Sequence, residues 1–453
     1  MRLWLRTCLC ACIPALSAPI ASPGSAQLSS DSLAVLAREA YVFGFPALEA
    51  YRAMYQSLNA PGGARPFNAF THTMRLADPT FRRIVRPNND TFYSVAWVDL
   101  RTGGVILNVP AAAQERYRSA QIVDQFTHNI AIISDAHPAT RRYLLVGPRW
   151  NAPVPVPAGI HAVIRSETGF ALVLTRTAVN GPSDSASAVA VQTQFALEPL
   201  NAGTDAVAMP EYREEAANSA DFVHYLNFVL GHSRVHHTEE ELLQSFAPIG
   251  LRSTPAVDSP AWTPADRAAM DRGVSEARER IRGGAGLRQP RGSWSMTDAW
   301  GDRERMQGKY LQRATAALYG LFGLDREEAA YFGTSIDIEG ERLRGEDRSY
   351  VLRFPPGSTP PVRAFWSVTV YDSAGFLIRN PIGRYSIGDR TPGLRHDADG
   401  GLTIHLQADA PAVEYQANWL PVPKDFFSLT LRLYRPDASQ ISTYTPPPVR
   451  VIR

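Results

Sequence analysis

Two aspartates stand where a carboxylate is unexpected. Asp90 closes the run Arg86-Pro87-Asn88-Asn89-Asp90, just ahead of the strand-like Thr91-Phe92-Tyr93-Ser94, and Asp124 lies within the apolar stretch 119–126. Alternate residues of a strand share a face, so Asp124 would continue a stripe of Ala120, Ile122 and Phe126. A carboxylate buried there needs a donor such as an arginine or an amide, or it takes up a proton; a strand-end turn is the plainer alternative. Two carboxylates in different environments divide the roles of general acid and general base. Asp90 and Asp124 are therefore the candidate catalytic pair of a hydrolase, on condition that they are close in space. Asn88, Asn89 and Tyr93 place amide donors and acceptors beside an aromatic ring, as a small polar or carbohydrate-like ligand requires. As turn residues the same amides would bond their own backbone. Arg384 and Tyr385, near Asn380, follow a later strand, where an arginine either clamps a carboxylate or phosphate or ties two parts of the chain together.

Other constellations carry less. His232 and His236 would share a face of one continuous helix and suit a metal ion. Thr238 with Glu241 instead reads as a capping box that starts a new helix, which leaves the histidines in a junction. No His-Glu-x-x-His motif, no Gly-x-Ser-x-Gly elbow and no phosphate loop is present, so the sequence implies no cofactor and no metal. Asp397-Ala398-Asp399-Gly400 lacks the later ligands of a calcium loop and reads as a β-turn. Trp366 and Trp419, embedded in apolar strand-like sequence, read as core.

The elements that must position these residues alternate between two types. Residues 31–58 have helical spacing, with Pro46 dividing them into a helix pair. From residue 91 to 177, short runs rich in Val, Ile, Phe and Tyr separated by turn residues predict an antiparallel sandwich or barrel. Helical patterns return at 221–230, 238–246, 264–281 and 300–322, with 282–292 as a flexible connection. Strands resume at 350–354, 364–371, 402–406 and 427–434. The expected fold is α+β and β-dominated, with two antiparallel, jelly-roll-like β-sandwich domains. A signal peptide would cover 1–26, leading helices and a first sandwich 27–201, a helical linker 202–333, and a second sandwich 334–453. Residues 117–124 align without gaps on 365–372, sharing an aromatic, a serine and a final aspartate, as two related β-domains would.

Arg86-Pro87-Asn88-Asn89-Asp90-Thr91-Phe92-Tyr93-Ser94, Trp97-Val98-Asp99-Leu100 and residues 117–124 resemble the N-terminal module of the paired domains of unknown function numbered 1254 and 1214. Residues 365–372, Asn380, Arg384-Tyr385-Ser386-Ile387-Gly388 and Asn418-Trp419-Leu420-Pro421 resemble the C-terminal module. The resemblance implies an exported protein with two β-sandwich-like modules around a helical linker, and it supplies no reaction.

Arg2 and Arg6, an apolar run from Cys8 to Ile20 and Gly24-Ser25-Ala26 have the order of a secretory leader, which predicts a periplasmic or secreted protein. Cys8, Cys10 and Cys12 all fall in that leader, so the mature chain would have no thiol chemistry and no disulfides. Loss of Arg2 and Arg6 from the 46 basic residues balances the 44 acidic ones, which argues against a nucleic-acid partner. No later segment is long and apolar enough to span a membrane. The sequence leaves the oligomeric state open. It favours a small polar or carbohydrate-like ligand, bound in a cleft near the junction of the two β-domains, with hydrolysis as the reaction if the protein is an enzyme. The alternative is a non-catalytic binding or assembly protein of the cell envelope.

Overall fold

A computed structural model describes residues 28–60, 65–82, 84–111, 116–150, 155–201, 209–253, 262–284 and 287–452. The leader read at 1–26, with its three cysteines, lies outside them.

The described residues of the first β-module form nine strands: β1 (Thr71–Thr73), β2 (Thr91–Asp99), β3 (Val105–Val109), β4 (Arg118–Asp124), β5 (Asn129–Ile133), β6 (Arg141–Val146), β7 (Ile160–Arg165), β8 (Phe170–Ala178) and β9 (Ala196–Pro199). They form a five-stranded sheet in the order β1-β2-β8-β4-β5 and a four-stranded sheet in the order β7-β6-β3-β9. Ala96, Val98, Ala120, Ile122 and Val173 of the first sheet pack on Val105, Leu107 and Leu145 of the second. Alternation puts these residues on one face of each strand, and burying both faces together makes the sandwich.

The second module holds β10 (Arg288–Arg291), β11 (Trp294–Thr297), β12 (Ala329–Thr334), β13 (Tyr350–Phe354), β14 (Val362–Asp372), β15 (Ser386–Gly388), β16 (Leu402–Gln407), β17 (Trp419–Pro421), β18 (Phe427–Pro436) and β19 (Val449–Val451). Its sheets run β10-β11-β12-β18-β14-β15 and β17-β16-β13-β19, with Phe332, Val368, Leu429 and Leu431 facing Leu352, Phe354 and Ile404. Each sandwich departs from the expected antiparallel pattern once, at the parallel pairs β6–β7 and β16–β17.

The described helices of the 202–333 region do more than link the two modules. The helices Phe222–Gly231, Pro264–Arg282 and Tyr310–Gly320 pack with the leading helix Ser30–Leu58, and together they bury Trp97, Phe170 and Leu172 of the first module. A helix with one apolar face must find an apolar surface, and the outer face of the first sheet provides it. The connection expected at 282–292 contains β10, and β10 and β11 form a hairpin that enters the second module's sheet. Among the described residues, no helix is long and apolar enough to cross a membrane.

Candidate functional site

The Asn88 run lies at the junction of the two modules. Asn88 Oδ1 accepts from the backbone N–H of Asp90 at 2.6 Å and of Thr91 at 3.2 Å, the local turn its residue type favours. Its Nδ2 donates across the junction to the Tyr434 hydroxyl at 2.6 Å. Asp90, 4% exposed, receives the hydroxyls of Ser367 at 2.8 Å and Tyr434 at 3.0 Å on one carboxylate oxygen. Asn89 donates to the Ala77 carbonyl and accepts from Ser386 Oγ. Arg432 donates to the Arg86 carbonyl, Thr369 Oγ1 and the Tyr371 hydroxyl, and Tyr371 donates to the Pro87 carbonyl. The turn read from residue type is what aims Asn88 and Asp90 at the second module.

The same arrangement recurs with the modules exchanged. Glu328, immediately before β12 as Asp90 is before β2, accepts from the Tyr117 hydroxyl and from Ser134 Oγ of the first module, each at 2.6 Å. Burial pushes its carboxyl above the usual range, although both hydroxyls oppose the shift. Burial also pushes the Tyr117 and Tyr434 phenols well up, reinforced by Glu328 and Asp90 respectively, so both remain donors. In the first sheet Tyr93, Arg176 and Ser119 stand in one cross-strand row. Tyr331, Arg432 and Ser367 make the matching row in the second. Tyr117 and Phe365, equivalent in the aligned segments, meet edge to face at 5.6 Å, and Tyr434 stacks on Phe365 at 4.1 Å. The junction is a pseudo-twofold seam in which each module's carboxylate bonds hydroxyls of the other.

Arg176 and Arg432 are buried within this centre. Arg176 donates to Gln121 Oε1 at 2.8 Å and lies 5.4 Å from the Tyr93 ring; the acceptors that both guanidinium groups meet are neutral. Tyr93 and Tyr331 are only half-buried.

The structure does not bring Asp90 and Asp124 together. The Asp90 carbonyl accepts from Val179 N–H on one side of β8, and Asp124 pairs with Ala171 on the other. Eight residues of strand place them roughly 26 Å apart along the sheet, far beyond the 5–10 Å of a carboxylate pair in glycoside hydrolysis. Asp124 accepts from His128 twice, from its backbone N–H at 2.8 Å and its Nδ1 at 2.9 Å. Burial alone would raise the Asp124 carboxyl, and His128 with Arg313 reverses that to leave it below the usual range. Burial first, and then Arg313, holds His128 down. Thr127 in this turn has φ 65° and lines a small cavity with Arg313, Trp300, Met306 and Phe322.

Arg384 Nη1 donates to the carbonyls of Gln416, Ala417 and Trp419 at 2.7–3.1 Å, which anchors the arginine within its own module. Tyr385 lines an open surface depression with Arg379, Asn380 and Pro381. His232 ends the helix Phe222–Gly231 and His236 lies beyond it, so the two share no helix face. Among the described residues no group of three or more His, Cys, Asp or Glu is placed to hold a metal.

Sequence reasoning missed Glu328, Tyr434, Arg176 and Arg432. A signal was present for the arginines: each interrupts an apolar strand, in Leu174-Thr175-Arg176-Thr177 and Leu431-Arg432-Leu433.

Fold and seam define an α+β, β-dominated protein of two facing sandwich modules with a helical layer on the first. Family profiles give those modules an identity: residues 67–199 match the protein of unknown function DUF1254, and residues 328–438 match the protein of unknown function DUF1214. The chain therefore carries a DUF1254 module followed by a DUF1214 module. Among solved structures, the VPA0106 protein of Vibrio parahaemolyticus is similar over 93% of this chain and 100% of its own, with 24% identity and a TM-score of 0.74, which shows a shared fold. An uncharacterised protein from Burkholderia cenocepacia aligns over 90% of this chain and 88% of its own, with 15% identity and a TM-score of 0.44. No functionally curated protein matches.

Proposed function

We propose that this is an exported protein that binds a small polar ligand, acidic or carbohydrate-like, at the junction of its two modules, where Tyr93 and Tyr331 keep accessible surface. One observation carries the reading: Arg176 and Arg432 are buried in the seam with neutral hydrogen-bond partners. Asp90 acts on Arg432 and Glu328 on Arg176 only through space, and a negatively charged group on a ligand would give the two guanidinium groups the direct charged partner that buried charges ordinarily have. Arg390 lies over Phe365 with Asp90 acting on it, and Arg86 donates to Thr430 beside the same seam. Two half-buried phenol rings beside them offer the platform that sugar rings use. Hydrolysis by a pair of aspartates has no support, because their separation exceeds what such chemistry tolerates.

The test is a thermal-shift screen of the purified protein with glucuronate, galacturonate and neutral hexoses, repeated on Tyr93→Ala and Tyr331→Ala. The expected outcome is a ligand-dependent rise of several degrees that shrinks in both variants while their unliganded melting stays within a few degrees of the parent. No rise with any compound, or rises that both variants retain, would overturn the junction site and favour a non-catalytic envelope assembly role.

A further inference from the structure

The pseudo-twofold relation allows each position of the first sandwich to be compared with its counterpart in the second. Aligning the rows Tyr93–Arg176–Ser119 and Tyr331–Arg432–Ser367 makes Arg118 equivalent to Trp366, Thr177 to Leu433, Thr175 to Leu431 and Ser94 to Phe332. In the second module all four are apolar, buried residues of the sandwich core. In the first module the same four positions are polar and equally buried: Arg118 is 2% exposed, and Ser94, Thr175 and Thr177 are wholly covered. The sandwich can be closed with apolar side chains there, so the fold does not demand the polar set.

The polar set is also incompletely partnered. Arg118 Nε and Nη1 and the Thr175 and Thr177 hydroxyls are buried without a hydrogen-bond partner. Arg118 and Thr177 are directly paired across β4 and β8, which puts their side chains side by side on one face. Arg118 Nη2 meets His137 Nε2 at 3.0 Å, while His137 Nδ1 lies 2.5 Å from the Ala139 carbonyl. The carbonyl can only accept, so Nδ1 carries the proton and the neutral Nε2 accepts from Arg118. The other charged neighbour acting on Arg118 is a second cation, half-buried Arg141; burial first, and then Arg141, pushes the guanidinium down to about 10, with only the Tyr143 phenol opposing. Among the described residues no carboxylate acts on Arg118.

We propose that this end of the first sandwich is a binding site for a small oxyanion, a carboxylate or a phosphate group, held by the Arg118 guanidinium and the Thr175 and Thr177 hydroxyls. The oxyanion supplies the acceptor atoms and the negative charge that the described residues around Arg118 do not. Its geometry suits a compact group rather than a sugar ring, because the flanking Phe92 and Ala120 are themselves fully packed. The site is separate from the inter-module seam: Arg118 and Thr177 project into the sandwich, whereas Arg176 and Ser119, each one residue removed, project from the opposite face.

The experiment is titration of the purified protein, dialysed against a HEPES buffer free of small oxyanions, with sodium acetate and separately with sodium phosphate, followed by melting temperature and calorimetry. The comparison set is the parent, Arg118→Gln, Thr177→Val and Tyr93→Ala. A saturable rise with either anion is expected in the parent and in Tyr93→Ala, with at least ten-fold weaker binding in Arg118→Gln and several-fold weaker binding in Thr177→Val. Preference for acetate or for phosphate identifies which oxyanion the site takes. Absence of saturable binding in the parent, or equal binding in parent and Thr177→Val, would overturn the proposal, even if Arg118→Gln fails to fold. Loss of anion binding in Tyr93→Ala with retention in Arg118→Gln would assign it to the seam instead and equally overturn it.

Discussion

Asp90 owes its importance to the two hydroxyls that converge on one of its oxygens. Asp90→Ala would leave Ser367 Oγ and the Tyr434 hydroxyl buried without their acceptor, at a cost of about 2–4 kcal/mol. Asp90→Asn keeps an accepting oxygen and should cost clearly less. Urea denaturation of the two variants checks this, and a loss below about 0.5 kcal/mol for the alanine variant would show that the seam bonds are dispensable. At this scale the sequence was partly legible. The turn chemistry of Asn88 could be read from residue type, as could the need of Asp124 for a donor. Where Asp90 points could not, since its partners lie 277 and 344 residues further along the chain. Asp124 was expected to need an arginine or an amide; it obtained the His128 ring and backbone N–H, with Arg313 nearby.

Among the elements, the leading helix departs from expectation most usefully. Pro46 predicts a break, yet Ser30–Leu58 is continuous, and the residues around Pro46 are buried. A proline inside a helix costs about 3 kcal/mol, which burial of several large side chains such as Tyr41, Phe43, Leu48 and Tyr51 outweighs at about 1.5–3 kcal/mol each. The helix Pro264–Arg282 approaches it so closely that a Cβ on Gly273 would stand 2.1 Å from the Ala34 carbonyl oxygen. Helix propensity alone favours Gly273→Ala by about 1 kcal/mol; the clash with backbone reverses the sign, for an expected net destabilisation of about 1–3 kcal/mol. Thermal unfolding of the variant measures it, and a stabilised protein would mean that the two helices can separate freely. The β10–β11 hairpin escaped sequence reading because Gln289, Pro290 and Arg291 are poor strand formers. An edge position tolerates the proline, and the Gly292-Ser293 turn, with Gly292 at φ 63°, was the missed signal.

Across the whole molecule, eight aligned residues hinted at duplication, and the structure extends the match to the cross-strand rows, the parallel strand pairs and the crossed carboxylates. Sequence similarity fades where the two copies do different work: one sandwich closes on Trp366, Phe332 and two leucines, the other on Arg118, Ser94 and two threonines. The α+β class and the order of the modules were legible because alternation and turn residues survive divergence. The placement of the helical layer was not, because an amphipathic pattern says that a face is covered without saying by what. The account centres on the inter-module seam as the ligand site. Its most direct test is calorimetric titration with glucuronate, which carries both a carboxylate and sugar hydroxyls, of the parent protein beside Tyr93→Ala and Asp124→Asn. We predict binding by the parent, at least ten-fold weaker binding by Tyr93→Ala, and parent-like binding by folded Asp124→Asn. Unchanged affinity in Tyr93→Ala together with lost affinity in folded Asp124→Asn would contradict the account and move the site to the His128 turn.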